Sequence, residues 1–134
     1  MGMELKLTRT DGLRRGLLAI SAATVLTGLA QVVAPATMLR LVGAEASPTA
    51  AHFFAIIGLF MCLFGGLLWQ VLRSAAYQPA AVRWAGLQKL GAAVAVGLGV
   101  QAGIFSALAL GVAGFDLCSG VLILVYLRQY RAAL

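Results

Sequence analysis

Charge is scarce in this chain of 134 residues, and acid is the scarcer sign. Four Asp and Glu stand against ten Lys and Arg, 10% of the residues in all, where an ordinary globular domain carries about 25%. So few charges cannot cover the surface of a soluble domain of this size, so that class is excluded. There is one histidine, and there are two cysteines, Cys62 and Cys118, both inside apolar runs. No CxxC, no Cys/His ligand spacing and no disulfide framework can be assembled from them. They read as small hydrophobes, and neither a metal nor another cofactor is expected.

What fills the chain is apolar: 62% of the residues, in long runs. A multispan membrane protein is the class that fits. The formal charge of +6 does not point to nucleic acid, because the basic residues flank apolar runs instead of clustering with polar or aromatic ones. The obligatory partner is the lipid bilayer.

Residues 1–16 mix four basic and two acidic side chains, with Leu5 and Leu7 alternating with polar residues, as an interfacial segment or a frayed tail would. Arg14-Arg15 ahead of an apolar stretch ending in Ala34-Pro35-Ala36 has the outline of a signal peptide. The stretch exceeds the roughly 7–15 residues of such a core, so it is read as a first helix over about 13–34. Residues 36–51 form the longest break. There Met38, Leu39, Leu41 and Val42 beside Arg40 suggest a short amphipathic turn on the membrane surface, stopped by Gly43. Ser47-Pro48 opens a second helix (50–73), with Ser47 as its N-cap. A third spans about 80–110, roughly 45 Å, and is longer than the hydrocarbon core. A tight hairpin at Gly111–Gly114 leads to a fourth over 114–131. The expected architecture is a single all-α domain, an integral membrane four-helix bundle with a short amphipathic segment in the outer loop between helices one and two.

Two signals orient it. Lys6, Arg9, Arg14, Arg15, Arg73, Arg83, Arg128 and Arg131 fall on one side, with Lys89 just inside, against Arg40 alone on the other. The positive-inside rule then puts both termini in the cytoplasm. Trp69, Tyr77, Trp84, Tyr126 and Tyr130 fall at the same basic end, as an interfacial belt does.

Small residues recur every fourth position at Gly91, Ala95, Gly99, Gly103, Ala107 and Gly111, with a shorter row at Gly58, Cys62 and Gly66. Small-xxx-small rows let helix backbones approach closely in membranes. The long row suits neighbours within the bundle or a protein partner, and the short row is expected to meet it.

Asp116 is the one acid within an expected span, and intramembrane ionisable groups are functional candidates by default. Placed in the first turn of helix four, it also suits the helix dipole. A cap, a pair with Arg40, and ligand or proton handling are its three readings, in that order. His52 and Glu45, near the same outer face, could join it in a metal or proton site, although a hydrated interfacial histidine is the simpler reading. Lys89 is expected to snorkel to the cytoplasmic headgroups, near the face of the bilayer opposite Asp116. Gln31, Gln70 and Gln101 are expected to make interhelical hydrogen bonds.

Arg14-Arg15-Gly16, Gly28, Pro35, Gly58, Gly65 and Gly66, with Lys89-Leu90-Gly91, Phe115-Asp116-Leu117 and Tyr126-Leu127, are similar to small bacterial four-helix proteins of the DoxX-like group. That resemblance covers most of the chain and implies a bacterial inner-membrane location. It also implies a link to quinone or thiol oxidation, for which a cysteine pair at one depth would be needed, and Cys62 and Cys118 lie at different depths. No Ser/His/Asp arrangement or phosphate loop is present, and catalysis by this chain alone is not expected. The leading expectation is a non-catalytic accessory or scaffold protein that associates through its small-residue faces with itself or a larger membrane complex. The alternative is binding or transport of a small apolar ligand, such as a quinone, lipid or steroid, with Gln31, Gln101 and Asp116 among its polar contacts.

Overall fold

A computed structural model describes residues 2–133, and the side chains at 3–8 and 133, Leu5, Lys6 and Leu7 among them, lie outside the described residues. The elements are α1 (Gly2–Val33), α2 (Pro35–Leu41), α3 (Pro48–Arg73), α4 (Pro79–Gln101) and α5 (Ala109–Ala133). No strand occurs among the described residues.

Proline and glycine set most of the breaks. Pro35, Pro48 and Pro79 each sit in the first turn of a helix, where the missing N–H would have had no partner. Ser47 accepts a hydrogen bond from the Ala50 N–H at 3.2 Å and caps α3. Gly43 and Gly103 have positive φ, 70° and 73°, and end α2 and α4 in the same way. In each, the glycine N–H reaches back to Arg40 or Val100, and the next N–H to Leu39 or Gly99. That pair of bonds is a Schellman motif, which satisfies the last carbonyls of a helix and favours glycine at the left-handed position.

Gly103 overturns one expectation. The helix expected over 80–110 ends at Gln101, and the chain reverses over 102–108, not 111–114. The small-residue row therefore does not lie on one helix. Within it a Cβ added at Gly91, Gly103 or Gly111 would meet nothing within 4 Å, and only Gly99 is crowded, by the ring of Phe105. Close approaches occur elsewhere. A Cβ on Gly28 would lie 2.6 Å from the Gly58 carbonyl oxygen, and one on Gly58 would lie 2.7 Å from that of Gly28. Gly65 meets Val25 and Ser21, and Gly120 meets Leu90 and the Gly86 carbonyl. The Gly58–Cys62 row thus faces α1, not the third long helix, while Gly66 has open space above it. The two close pairs are α1 with α3 and α4 with α5, joined by contacts of α1 with α5 and of α3 with α4.

Three helical segments, Arg9–Val33, Pro48–Arg73 and Ala109–Ala132, are long and apolar enough to cross a membrane. The polarity of the molecule is inverted relative to a soluble protein. Leu26, Val33, Phe53, Leu63, Val94 and Leu108 are more than half exposed, while Ser21, Thr24, Gln31, Lys89, Asp116 and Ser119 are buried. An apolar exterior of this extent suits lipid.

At one end Leu17, Leu68, Leu72, Val82, Ile123 and Tyr126 form an apolar core, flanked by Tyr77 and Tyr130. Arg14 donates there to the Leu72 carbonyl at 3.2 Å. The Tyr77 ring stacks on Tyr130 with centroids 4.6 Å apart and planes at 18°, which ties the α3–α4 turn to the end of α5. The Tyr77 hydroxyl is buried without a partner. Removing the ring with Tyr77→Ala is therefore expected to lower stability by at least about 1 kcal/mol. Tyr77→Phe, which deletes only the unpaired hydroxyl, is expected to leave stability unchanged or raised. Thermal unfolding in detergent distinguishes the two.

A candidate ligand cavity at the meeting of the helices

Most buried hydroxyls in this interior are satisfied within their own helix. Ser21 donates to the Leu17 and Leu18 carbonyls, Thr24 to Ile20 and Ser119 to Phe115 at 2.6 Å. Short side chains reach the preceding turn, so they need nothing from a neighbouring helix. Longer ones do not have that route, and they define the site.

Lys89 and Asp116 find each other. Nζ of Lys89 donates to Oδ1 of Asp116 at 2.8 Å, with side chains only 5% and 9% exposed. This is the one buried ion pair among the described residues. It replaces three expectations: Lys89 does not snorkel, Asp116 is not a cap, and Asp116 does not pair with Arg40, which is exposed. Asp116 lies two helical turns into α5, about 10 Å from its start. Lys89 shares the buried face of α4 with Val82, Ala85, Gly86 and Ala93. The ammonium also sits 5.3 Å from the centre of the Phe115 ring, a favourable position for a cation over a π face.

Beside this pair is a half-open cavity of about 160 Å³. Thr27 and Gln31 of α1 line it with Met38, Phe54 and Met61 from α2 and α3. Gln88, Lys89, Ala92 and Val96 of α4, Phe105 of the reversal, and Val112 and Asp116 of α5 add to the wall. Most of that lining is apolar. Gln31 is 7% exposed, and its Oε1 is buried with no hydrogen-bond partner. An unpaired buried acceptor costs about 1–3 kcal/mol, and this oxygen is enclosed by the protein's own atoms.

The remaining expected site residues are elsewhere. His52, Glu45 and Gln101 are exposed, and neither they nor Arg40 line the cavity. The structure brings together Gln31 and Asp116, and it adds Lys89, Gln88, Phe54, Phe105, Met38 and Met61, which sequence reasoning did not nominate. For Lys89 a signal was present: Val82, Ala85, Gly86, Lys89 and Ala93 repeat at helical spacing, opposite Trp84 and Leu87. No group of three or more His, Cys, Asp or Glu capable of holding a metal occurs among the described residues.

A larger hollow of about 270 Å³ lies at the basic end, lined by Asp11, Arg14, Tyr77, Gln78, Tyr126 and Tyr130. At the opposite end the Ser106 N–H donates to the Val42 carbonyl at 2.8 Å, joining the two glycine-terminated turns. Comparison of the chain with protein-family models, with curated proteins and with solved structures finds no match.

Proposed function

We propose that this is a multispan membrane protein that binds a small, largely apolar molecule with a polar head in the cavity beside Lys89 and Asp116. In this reading α1, α3, α4 and α5 all cross the bilayer, with the basic end in the cytoplasm of a bacterial cell. α4 crosses with its lysine neutralised by Asp116, which lowers the cost of carrying it through lipid. The observation that carries the reading is the half-open, mostly apolar cavity of about 160 Å³ beside the buried Lys89–Asp116 pair, with Thr27, Gln31 and Gln88 as its further polar lining. Apolar pockets with a few placed polar groups are the general form of small-molecule sites.

The experiment is native mass spectrometry of the chain extracted gently from native membranes. A bound small amphiphile is expected, and Ala92→Trp, which fills the cavity from α4, is expected to lose it. A stoichiometric protein partner on a chain with no small molecule would sink the binding reading. It would favour a scaffold role instead, for which the exposed Gly91 and Ala95 of α4 supply an open face.

A further inference from the structure

We infer that the hollow at the basic end seats the head of a phospholipid that joins a phosphodiester to a primary ammonium, as phosphatidylethanolamine does. Arg14 holds the phosphate and Asp11 the ammonium. This rests on the membrane part of the reading above and is independent of the cavity beside Lys89.

The hollow, about 270 Å³ and half-open, is walled by Asp11 and Arg14 of α1, by the turn between α3 and α4, and by Tyr126 and Tyr130 of α5. Val71, Leu72 and Val82 of the core give it an apolar patch, and most of its other lining is polar. Such a mixture suits the headgroup layer of a bilayer. The tyrosines put the hollow at that depth, because Tyr77, Tyr126 and Tyr130 belong to the aromatic belt at the basic end.

Charge selects the head. Two charged side chains line the hollow, one of each sign, and they do not satisfy each other. Asp11 Oδ1 is 3.8 Å from Arg14 Nε, longer than a hydrogen bond. Both are reachable, with 65% of the Asp11 side chain and 40% of the Arg14 side chain exposed. A pair this exposed adds little to stability, so a ligand that divides it costs the fold little. Nη1 of Arg14 donates to the Leu72 carbonyl at 3.2 Å, which anchors the guanidinium at the wall. The fork keeps further N–H donors for a phosphate. A purely anionic head brought to Arg14 would lie beside the Asp11 carboxylate and be repelled, and a bare ammonium at Asp11 would meet the guanidinium. A head that carries both charges is matched by both.

Asp11 also separates the zwitterionic heads. A primary ammonium donates hydrogen bonds to a carboxylate, and a trimethylated one has none to give. The usual holder of a quaternary ammonium is a cage of open aromatic faces. Here Tyr77 and Tyr130 are turned on each other, with centroids 4.6 Å apart.

The test is lipid competition on the intact chain, stripped of lipid in detergent. It is given an equimolar mixture of palmitoyl-oleoyl phospholipids with ethanolamine, choline or glycerol heads, and native mass spectrometry reads which are retained. The ethanolamine lipid is expected to exceed either of the others on the order of tenfold. Asp11→Asn, a change at an exposed side chain, is expected to bring it down to the level of the choline lipid. Arg14→Gln is expected to lower all three. Equal retention of the three lipids, a preference for the glycerol head, or a preference that survives in Asp11→Asn would each overturn the inference. Glycerophosphoethanolamine, the same head without acyl chains, distinguishes the bilayer from a soluble source. It is expected to displace the lipid only in large excess, and displacement at equal concentration would overturn the assignment to lipid. Failure of the membrane reading shows separately, as a chain that stays monodisperse without detergent.

Discussion

Lys89→Met and Asp116→Ala are each expected to destabilise the fold by about 3–5 kcal/mol, the cost of leaving half a buried ion pair without its partner. The Ser119 hydroxyl is committed to the Phe115 carbonyl at 2.6 Å, so it is not free for Asp116. For Lys89 the Phe115 ring at 5.3 Å remains, but a cation over a ring is worth only about 0.5–2 kcal/mol. The double variant Lys89→Met/Asp116→Leu removes both charges and fills similar volume with apolar atoms. Such replacements are often neutral or stabilising, so most of either single loss should return. Equilibrium unfolding in one detergent at one pH, arranged as a double-mutant cycle, measures the coupling directly. Additive single effects, with no recovery in the double, would mean that the two side chains do not meet. The same double variant also separates fold from ligand: with stability recovered, any change in the small molecule retained in native mass spectrometry reports what the pair itself contributes to the cavity.

How Lys89 and Asp116 come together was the part of the molecule least legible in sequence, and the reason is local. The apolar runs, the surface turn around Arg40, the stop at Gly43 and the Ser47 cap all follow from composition, periodicity and turn chemistry. They are present in the structure as α2, α3 and the apolar part of α1, although α1 begins at Gly2 and not near residue 13. Gly103 is different because two rules use glycine for opposite ends. In an apolar helix a glycine reads as a small packing residue. At a helix end it reads as the left-handed C-terminal stop. Nothing in the row from Gly91 to Gly111 distinguishes them by residue type, and the packing reading carries the helix past Gly103. One discrepancy was visible: a helix over 80–110 is roughly 45 Å long, against a hydrocarbon core of about 30 Å. Ending it at Gly103 removes the excess. It also starts α5 at Ala109 and draws Asp116 two turns into the helix, away from the end where a cap would stand. The same shift brings Phe105 back over Gly99 and onto the cavity wall. Gln31 reads in sequence as an interhelical hydrogen-bonding residue, but its Oε1 has no partner, and Gln70 and Gln101 are exposed.

Gly58→Val is expected to be among the most disruptive single substitutions in the chain, while Gly91→Val on α4 is expected to change little through packing. An added Cβ at Gly58 would come 2.6 Å from the Gln31 Cβ and 2.7 Å from the Gly28 carbonyl oxygen. Both are held by the main chain of α1, so no side-chain rotation relieves the overlap. The helices must part, and overpacking of this kind costs about 1–3 kcal/mol or more, with the loss of α1–α3 contacts added. At Gly91 the same Cβ meets nothing within 4 Å, which leaves only the modest preference of a β-branched residue against helix. The contrast decides where the small residues act, since the row through Gly91 looks the better packing motif in sequence and the open space around it says otherwise. Unfolding measurements on both variants test this. If Gly91→Val proved the more damaging of the two, α4 would have to be packed against something through Gly91. A partner helix on that face would then become the better account of the protein's small residues.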